Sequence, residues 1–231
     1  MKKAAPDPYG MAGFALAAAF AIIQKWTLPE FCWSTWLAGL FFAWACVAGA
    51  GLRIIVTARS EKTRYEARLL FLRRVPPALF LPAMIAVAAA AGLIAFRLYA
   101  FLFGFYGLFL SVFAEMEPAR LFGRNGFINS DFFTPVAWLA DRYWPMALGL
   151  LVADWKTIFG PRPWKRLLLP LEAEILRMHV LVLALPFFSL LAWAVFKTAY
   201  QPVTIVLLMG LICLLPRPEH NDTKQTERIT S

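Results

Sequence analysis

Long apolar runs separated by short polar segments make up most of the chain. A membrane-spanning helix needs about 20 mostly apolar residues, and the run from Tyr9 to Trp26 is near the lower limit of that length. The run from Trp33 to Val56 is longer, with tryptophans at one end and Arg53 near the other, where such side chains meet lipid headgroups. The pattern predicts two spanning helices joined by a turn from Thr27 to Glu30. No small-residue cleavage site follows the first run, so we expect that helix to be retained.

The longest apolar run, Ala78 to Met116, is interrupted by Arg97. As a single helix it would be roughly 60 Å long, about twice the hydrocarbon thickness of a bilayer. The length therefore favours a hairpin of two helices, Ala78 to Ile94 and Leu98 to Met116, with Arg97 hydrated at the turn. The second arm carries an aromatic stripe at the spacing of one helix face, which could face lipid, a ligand or another subunit. The stripe consists of Phe101, Phe105, Phe109 and Phe113.

Two spanning windows are open in the next apolar region, after a predicted loop from Glu117 to Pro135. The window Phe132 to Val152 places two charged residues, Asp141 and Arg142, inside the bilayer. The window Tyr143 to Phe159 leaves both at its edge. A charged side chain at the bilayer centre costs about 2.5 kcal/mol or more, so we favour the second window.

The last third of the chain predicts two more spans and a tail. Met178 to Phe196 is the first span, and Pro186 is expected to kink it because proline has no backbone N–H. Ala199 to Leu215 is the second. The polar segment Arg217 to Ser231 is predicted to be a disordered cytoplasmic tail. Residues 1–216 then form one domain, an all-α polytopic transmembrane helical bundle with short loops.

Basic residues in two loops orient this bundle. The segment Thr57 to Pro77 and the linker Trp155 to Pro170 are both predicted to be cytoplasmic, because basic loops stay on that side of the membrane. Seven spans would place them on opposite sides, whereas six place them on the same side. We favour six, in which one arm of the segment Ala78 to Met116 is re-entrant or interfacial and both termini are inside, and keep seven as the alternative, in which the linker is an exception to the charge rule. The basic residues, candidates for contact with anionic lipid or a partner, are Arg59, Lys62, Arg64, Arg68, Arg73, Arg74, Lys156, Arg162, Lys165 and Arg166.

The composition agrees with a membrane protein. Of 231 residues, 61% are hydrophobic and 16% charged, whereas globular chains have about a quarter charged. The formal net charge of +9 comes from loops between apolar runs and so does not indicate nucleic-acid binding. The three cysteines lack the C-x-x-C spacing of a metal knuckle and the even number of a disulfide framework.

Candidate chemistry gathers between Asp141 and His179. Haem, di-iron and zinc sites need several imidazoles, or imidazoles with carboxylates, but one of the two histidines, His220, is in the tail. His179 has apolar neighbours on its helix face, so an interfacial role is favoured over a ligand role. Neither G-x-S-x-G nor G-x-x-x-x-G-K-[ST] occurs. We expect no metal, no catalytic residue and no cofactor, with room for a bound lipid. The functional candidates are Asp141, Arg142, Asp154, Glu172, Glu174, Arg177 and His179.

Several short motifs resemble a bacterial family of polytopic integral membrane proteins known as a domain of unknown function. The resemblance covers the chain from Trp33 to Leu215 and implies a polytopic membrane fold, without an activity. The motifs that carry it are Trp33-Ser34, Phe105-Tyr106-Gly107 with Phe109, the helix end Leu151 to Phe159, and Arg177-Met178-His179.

Taken together, the sequence predicts a non-enzymatic protein of a bacterial inner membrane. The leading hypothesis is a structural or accessory subunit of a larger membrane complex, whose partners are other membrane subunits, or further copies of the chain, and anionic lipids. The alternative is a homo-oligomeric channel or transporter that uses Asp141, Arg142, Asp154 and His179. A membrane-embedded enzyme acting on lipid through Glu172, Glu174 and Arg177 ranks third.

Overall fold

The computed structural model describes residues 8–60, 62–63, 74–113, 132–159 and 200–214, with residues 163, 167, 187, 191, 194 and 195. Every regular element in these ranges is a helix. Two segments, Leu28–Thr57 and Pro77–Ser111, are long and apolar enough to cross a membrane. The all-helical class is therefore confirmed. The helices are α1 (Pro8–Ile23), α2 (Leu28–Thr57), α3 (Phe80–Phe113, after a 3-10 turn at Pro77–Leu79), α4 (Phe133–Ala153), α5 (Trp155–Ile158) and α6 (Tyr200–Leu214).

The start of α2 differs from the sequence prediction. The segment Thr27 to Glu30 is not a turn, because Thr27 is the N-cap and the next three residues are already helical. Pro29 fits the first helical turn, where its missing N–H would have no partner in any case. The turn lies earlier, where Lys25 adopts a φ of 51° and the Trp26 N–H donates to the Ala21 carbonyl at 2.9 Å.

Helix α2 holds most of the buried core and packs against α3, α4 and α5, while α1 packs against α4 and α6. Glycines set the closest approaches between these helices. A Cβ atom at Gly149 of α4 would lie 2.8 Å from the Gly13 carbonyl oxygen of α1, and one at Gly49 of α2 would lie 2.6 Å from the Ile158 carbonyl. The largest fully buried side chains of α2 are Phe31, Trp33, Trp36, Leu37, Leu40, Phe42 and Ile54.

Helix α3 is a single helix of 34 residues, so the predicted hairpin is wrong and Arg97 lies in mid-helix instead of at a turn. The residues around Arg97 offer no proline or glycine break. The antiparallel packing of α3 on α2 continues through this point. On one side of it the Trp36 indole N–H donates to the Phe103 carbonyl at 2.8 Å, and level with it the Trp44 and Phe96 rings stack at 4.2 Å.

Helix α4 begins at Phe133, so the end of the predicted loop, Pro135, is already helical. The helix is broken at Tyr143, whose φ of −119° and ψ of 17° are not helical. Pro145 contributes to the break because it cannot donate a hydrogen bond to the Asp141 carbonyl one turn earlier. The helix thus has the bounds of the window Phe132 to Val152 but breaks where the favoured window begins.

The chain reverses its direction along α2 at this break. Phe132 lies beside Trp36 and Phe133 beside Trp44, with ring centroids 6.1 and 6.5 Å apart. Ten residues later the Tyr143 hydroxyl reaches Glu30, in the first turn of α2. The second half of α4 then descends along α1, as the contact of Gly149 with Gly13 shows, so the two halves of α4 run in different directions along the bundle.

Several sequence predictions lie outside the described residues. They include residues 114–131 of the predicted loop and the tail from Arg217. Of the predicted span Met178 to Phe196, only Phe187, Leu191, Ala194 and Val195 are described, and each is helical and exposed. Helix α6 confirms that the segment Ala199 to Leu215 is helical.

Candidate functional site

A group of polar and aromatic side chains surrounds the break in α4. We call it the Tyr143 cluster. It joins the turn between α1 and α2 to α4, and its members are Gln24, Trp26, Glu30, Trp138, Arg142 and Tyr143.

Glu30 is the polar centre of the Tyr143 cluster. One of its carboxylate oxygens accepts the backbone N–H of Thr27 at 2.6 Å and the Thr27 hydroxyl at 2.8 Å. The other accepts the Tyr143 hydroxyl at 3.1 Å. The side chain that caps α2 therefore also holds the break in α4. A Thr followed three residues later by Glu is the signature of a capping box, so the sequence carried a signal for Glu30 that the turn assignment overlooked.

Aromatic packing surrounds this hydrogen-bonded centre. The Tyr143 ring lies edge-on to Trp26 at 5.4 Å and 6.4 Å from Trp138. The Arg142 guanidinium lies over the Trp138 ring, 4.1 Å from its centroid, within the range of a cation–π interaction. The polar and aromatic groups of the cluster therefore bind mainly one another. Together they hold the turn between α1 and α2 against the break in α4.

The charged candidates on α4 are not brought together. Asp141 and Arg142 are exposed beside the break. Asp154 is 7% exposed and lies about 16 Å further along the helix axis, where its backbone N–H closes α4 on the Leu150 carbonyl at 2.9 Å. The described residues therefore hold two separate charged positions, one at each end of the descending half of α4.

Basic residues collect at the opposite end of the bundle from the Tyr143 cluster. The Arg53 guanidinium donates to the Phe159 carbonyl at 2.7 Å, which joins the end of α2 to the end of α5. Lys62 lies 5.4 Å from the Phe80 ring centroid at the start of α3, and Lys156 lies 5.0 Å from that of Tyr9 at the start of α1. Arg59 and Arg74 are exposed at the same end. We call this set the basic end.

A third feature is the face of α3 that points away from α2. Phe101 and Phe105 of the predicted aromatic stripe are 51% and 44% exposed and contact each other at 4.8 Å, whereas Phe103 is buried against Trp36. Arg97 is exposed on this apolar face. Sequence reasoning missed it as a candidate because it assigned Arg97 to a turn.

Beside this face, α2 and α3 form an apolar groove of about 840 Å³. The residues that line it are largely small or aliphatic, so the surfaces of both helices are open to a neighbouring molecule along the groove. They include Trp44, Ala48 and Leu52 from α2 and Ala89, Leu93 and Phe96 from α3. Leu93 places the rim of the groove one helical turn from Arg97.

Part of the predicted site is not placed. No group of three or more His, Cys, Asp or Glu side chains in the described residues could hold a metal ion. The candidates that lie outside the described residues are Glu172, Glu174, Arg177 and His179, with the basic residues Arg64, Arg68, Arg73, Arg162, Lys165 and Arg166.

Searches of protein-family models, curated protein sequences and solved structures return no match to this chain.

Proposed function

We propose that the protein is a non-enzymatic structural or accessory subunit of a larger complex in a bacterial inner membrane. The observation that carries this proposal is the exposed face of α3, where Arg97 lies among apolar side chains at mid-helix. Lipid accepts the apolar residues of such a face, but a charge at the bilayer centre costs about 2.5 kcal/mol or more. A protein partner that covers the face removes this cost.

The test is the mass of the particle extracted from native membranes. After mild detergent extraction through an affinity tag, native mass spectrometry is expected to find the 26.0 kDa chain with at least one different polypeptide in fixed stoichiometry. A tagged, unrelated polytopic protein expressed at the same level serves as the control for adventitious co-extraction. A lone chain in native lipid would overturn the proposal.

The topology that we propose has six crossings with both termini in the cytoplasm. It is supported by the continuity of α3, which removes one helix from the predicted seven. It is also supported by the basic end, because Arg59 and Lys156 begin the two basic loops on the same side of the bundle. With one helix in place of the predicted hairpin, the six spans put both basic loops on the same side of the membrane, in agreement with their charge.

Single-cysteine labelling tests this topology. In a variant without native cysteines, a cysteine replacing Arg59 or Lys156 is expected to react with a membrane-impermeant maleimide only after the cells are opened. A cysteine replacing Arg142, at the other end of the bundle, is expected to react in intact spheroplasts. Labelling of the Arg59 and Lys156 positions from opposite sides would contradict six crossings.

A homo-oligomeric channel or transporter is the second candidate, and the break in α4 favours it. Discontinuous and re-entrant helices recur in transporters and channels, where they line protein-enclosed or water-filled paths. Flux through proteoliposomes under ion and pH gradients tests it, with Asp154→Asn and His179→Ala compared with the unmodified chain. A flux that both changes reduce would support it, and no flux under any gradient would exclude it.

A further inference from the structure

The depth of Arg97 follows from the register of α3 on α2. Trp36 contacts Phe103 and Trp44 contacts Phe96, so Arg97 lies level with the residues just before Trp44. Glu30 and Arg53 are the charged residues nearest the two ends of α2 and are about 35 Å apart along its axis, close to the hydrocarbon thickness. Arg97 therefore lies at the level of the bilayer centre if these charges mark its faces.

The immediate surroundings of Arg97 are apolar and exposed. Leu93, Ile94 and Phe101, one turn before and after it, are 62%, 69% and 51% exposed. The α3 residues packed on α2, such as Tyr99 and Phe103, lie on the opposite side of the helix. An arginine stem reaches a headgroup only from near the end of a span, and Arg97 is about 15 Å from either face. Its charge needs a counter-charge at its own depth.

The groove next to Arg97 fits the backbone of a helix. Its α2 wall includes Gly51, where an added Cβ would meet no heavy atom within 4 Å, and its α3 wall includes Ala88 and Ala89. Small residues of this kind allow membrane helices to approach closely, and close packing is what drives their association in lipid. The groove and Arg97 thus form one surface, which we call the α2–α3 face.

We propose that the α2–α3 face binds a transmembrane helix of a different protein that carries an aspartate or glutamate at the bilayer centre, paired with Arg97. This inference rests on the proposed subunit role and names the chemistry of the partner. Charge complementarity selects a carboxylate, and depth excludes a phospholipid headgroup, which lies about 15 Å away. Within the described residues a second copy fits less well, because the acidic side chains there, Glu30, Asp141 and Asp154, all lie near the ends of the bundle.

Photo-crosslinking in native membranes tests the surface directly. Benzoyl-phenylalanine replaces Ile94 on the α2–α3 face, and the control replaces the similarly exposed Ile22 of α1. Mass spectrometry of the crosslinked peptide is expected to identify, from Ile94 alone, an apolar segment of another protein that contains Asp or Glu. A crosslink to a second copy, to this chain itself or to lipid alone would overturn the proposal.

Charge exchange then tests the pairing. Arg97→Leu is expected to lower the yield of the extracted complex roughly five- to thirtyfold, the range of a lost polar contact between membrane helices, whereas Arg97→Lys retains most of it. Lys25→Leu, which removes an exposed positive charge at a position outside the candidate contact residues, is the matched control and leaves the yield unchanged. Arg97→Glu is expected to be rescued by Lys at the crosslinked acidic position of the partner.

The failures are distinguishable. If the complex forms with an undiminished yield in Arg97→Leu, the pairing is wrong while the subunit role stands. If no second polypeptide is extracted with the unmodified chain, the subunit role fails and the pairing with it. Thermal stability of each purified variant, measured in the same detergent, separates loss of partner binding from loss of fold.

Discussion

Helices α2 and α3 lie side by side in opposite directions, both long and apolar, and they differ in where their charges lie. Half of the most apolar stretch of α2 is buried, against 22% of that of α3, although α3 is the more apolar of the two. In water this would be reversed, because apolar surface is driven into the core. In lipid, packing selects shape and small residues instead. The positions of the charged residues, near the ends of α2 and at the centre of α3, therefore distinguish the two helices better than their hydropathy does.

The largest effect on the free energy of unfolding is expected from truncation of a buried side chain of α2. Trp36→Ala removes a fully buried indole and its hydrogen bond to Phe103, and we expect it to lower the free energy of unfolding by about 3 to 5 kcal/mol. Phe101→Ala on the exposed face of α3 is expected to change it by less than about 1 kcal/mol. Unfolding by SDS in mixed micelles measures both, and equal effects would contradict the assignment of α2 as the core.

A smaller effect is expected where α4 packs on α1. Gly149→Ala places a methyl group 2.8 Å from the Gly13 carbonyl oxygen, and we expect a loss of about 2 kcal/mol from overpacking. Gly51→Ala is the control because its methyl group meets no heavy atom within 4 Å, so helix propensity stabilises it by up to about 1 kcal/mol. The same SDS titration distinguishes them, and opposite signs are the expected outcome.

A third, smaller effect is expected at one end of α2, where the Tyr143 hydroxyl donates a hydrogen bond to Glu30. Tyr143→Phe keeps the aromatic packing on Trp26 and removes only the hydroxyl that Glu30 accepts at 3.1 Å. We expect a loss of about 1 kcal/mol. The rate of hydrogen exchange of the backbone amides around residue 143 is expected to rise, because this hydrogen bond helps to hold the break in α4 in place. Unchanged exchange there would show that packing alone fixes the break.

The smallest effect on the isolated chain, and the most selective, is expected in the groove. Gly51→Leu fills open space between α2 and α3 and, like Gly51→Ala, is not expected to lower the free energy of unfolding. Its yield of extracted complex is expected to fall, because the bulk occupies the proposed position of the partner helix. Ala15→Leu adds similar bulk to an exposed position of α1 and is expected to leave the yield unchanged.

Apolar pattern was sufficient to predict where most helices lie. The runs Tyr9 to Trp26, Trp33 to Val56 and Ala199 to Leu215 each overlap an observed helix over most of their length, because a long apolar run is typical of a helix that could span a bilayer. Boundaries were less accurate. The start of α2 depends on whether Pro29 ends one element or begins the next, and the pairing of Thr27 with Glu30 is the local signal that decides it.

The two larger errors, at Arg97 and in α4, arose because the apolar pattern of a segment does not show which other helices will pack against it. Arg97 was assigned to a turn since a helix of that length seemed too long for a bilayer, but packing on α2 holds α3 continuous through Arg97. In α4, Pro145 was given no weight in the prediction from the sequence, and the reversal at Tyr143 also depends on contacts with Glu30 and Trp26, more than a hundred residues earlier. Such contacts leave no periodicity in the sequence.

The reversal at Tyr143 has a consequence for how the chain is made. The first half of α4 is about 15 Å long, half the thickness of a hydrocarbon layer, so in the proposed membrane topology we expect that a translocon cannot integrate it as a stop-transfer segment on its own. Its contacts are with Trp36, Trp44 and Phe96, which precede it in the chain and are synthesised first. We therefore predict that the first three helices act as a template during biogenesis, and that the half-helix folds onto them after they are inserted.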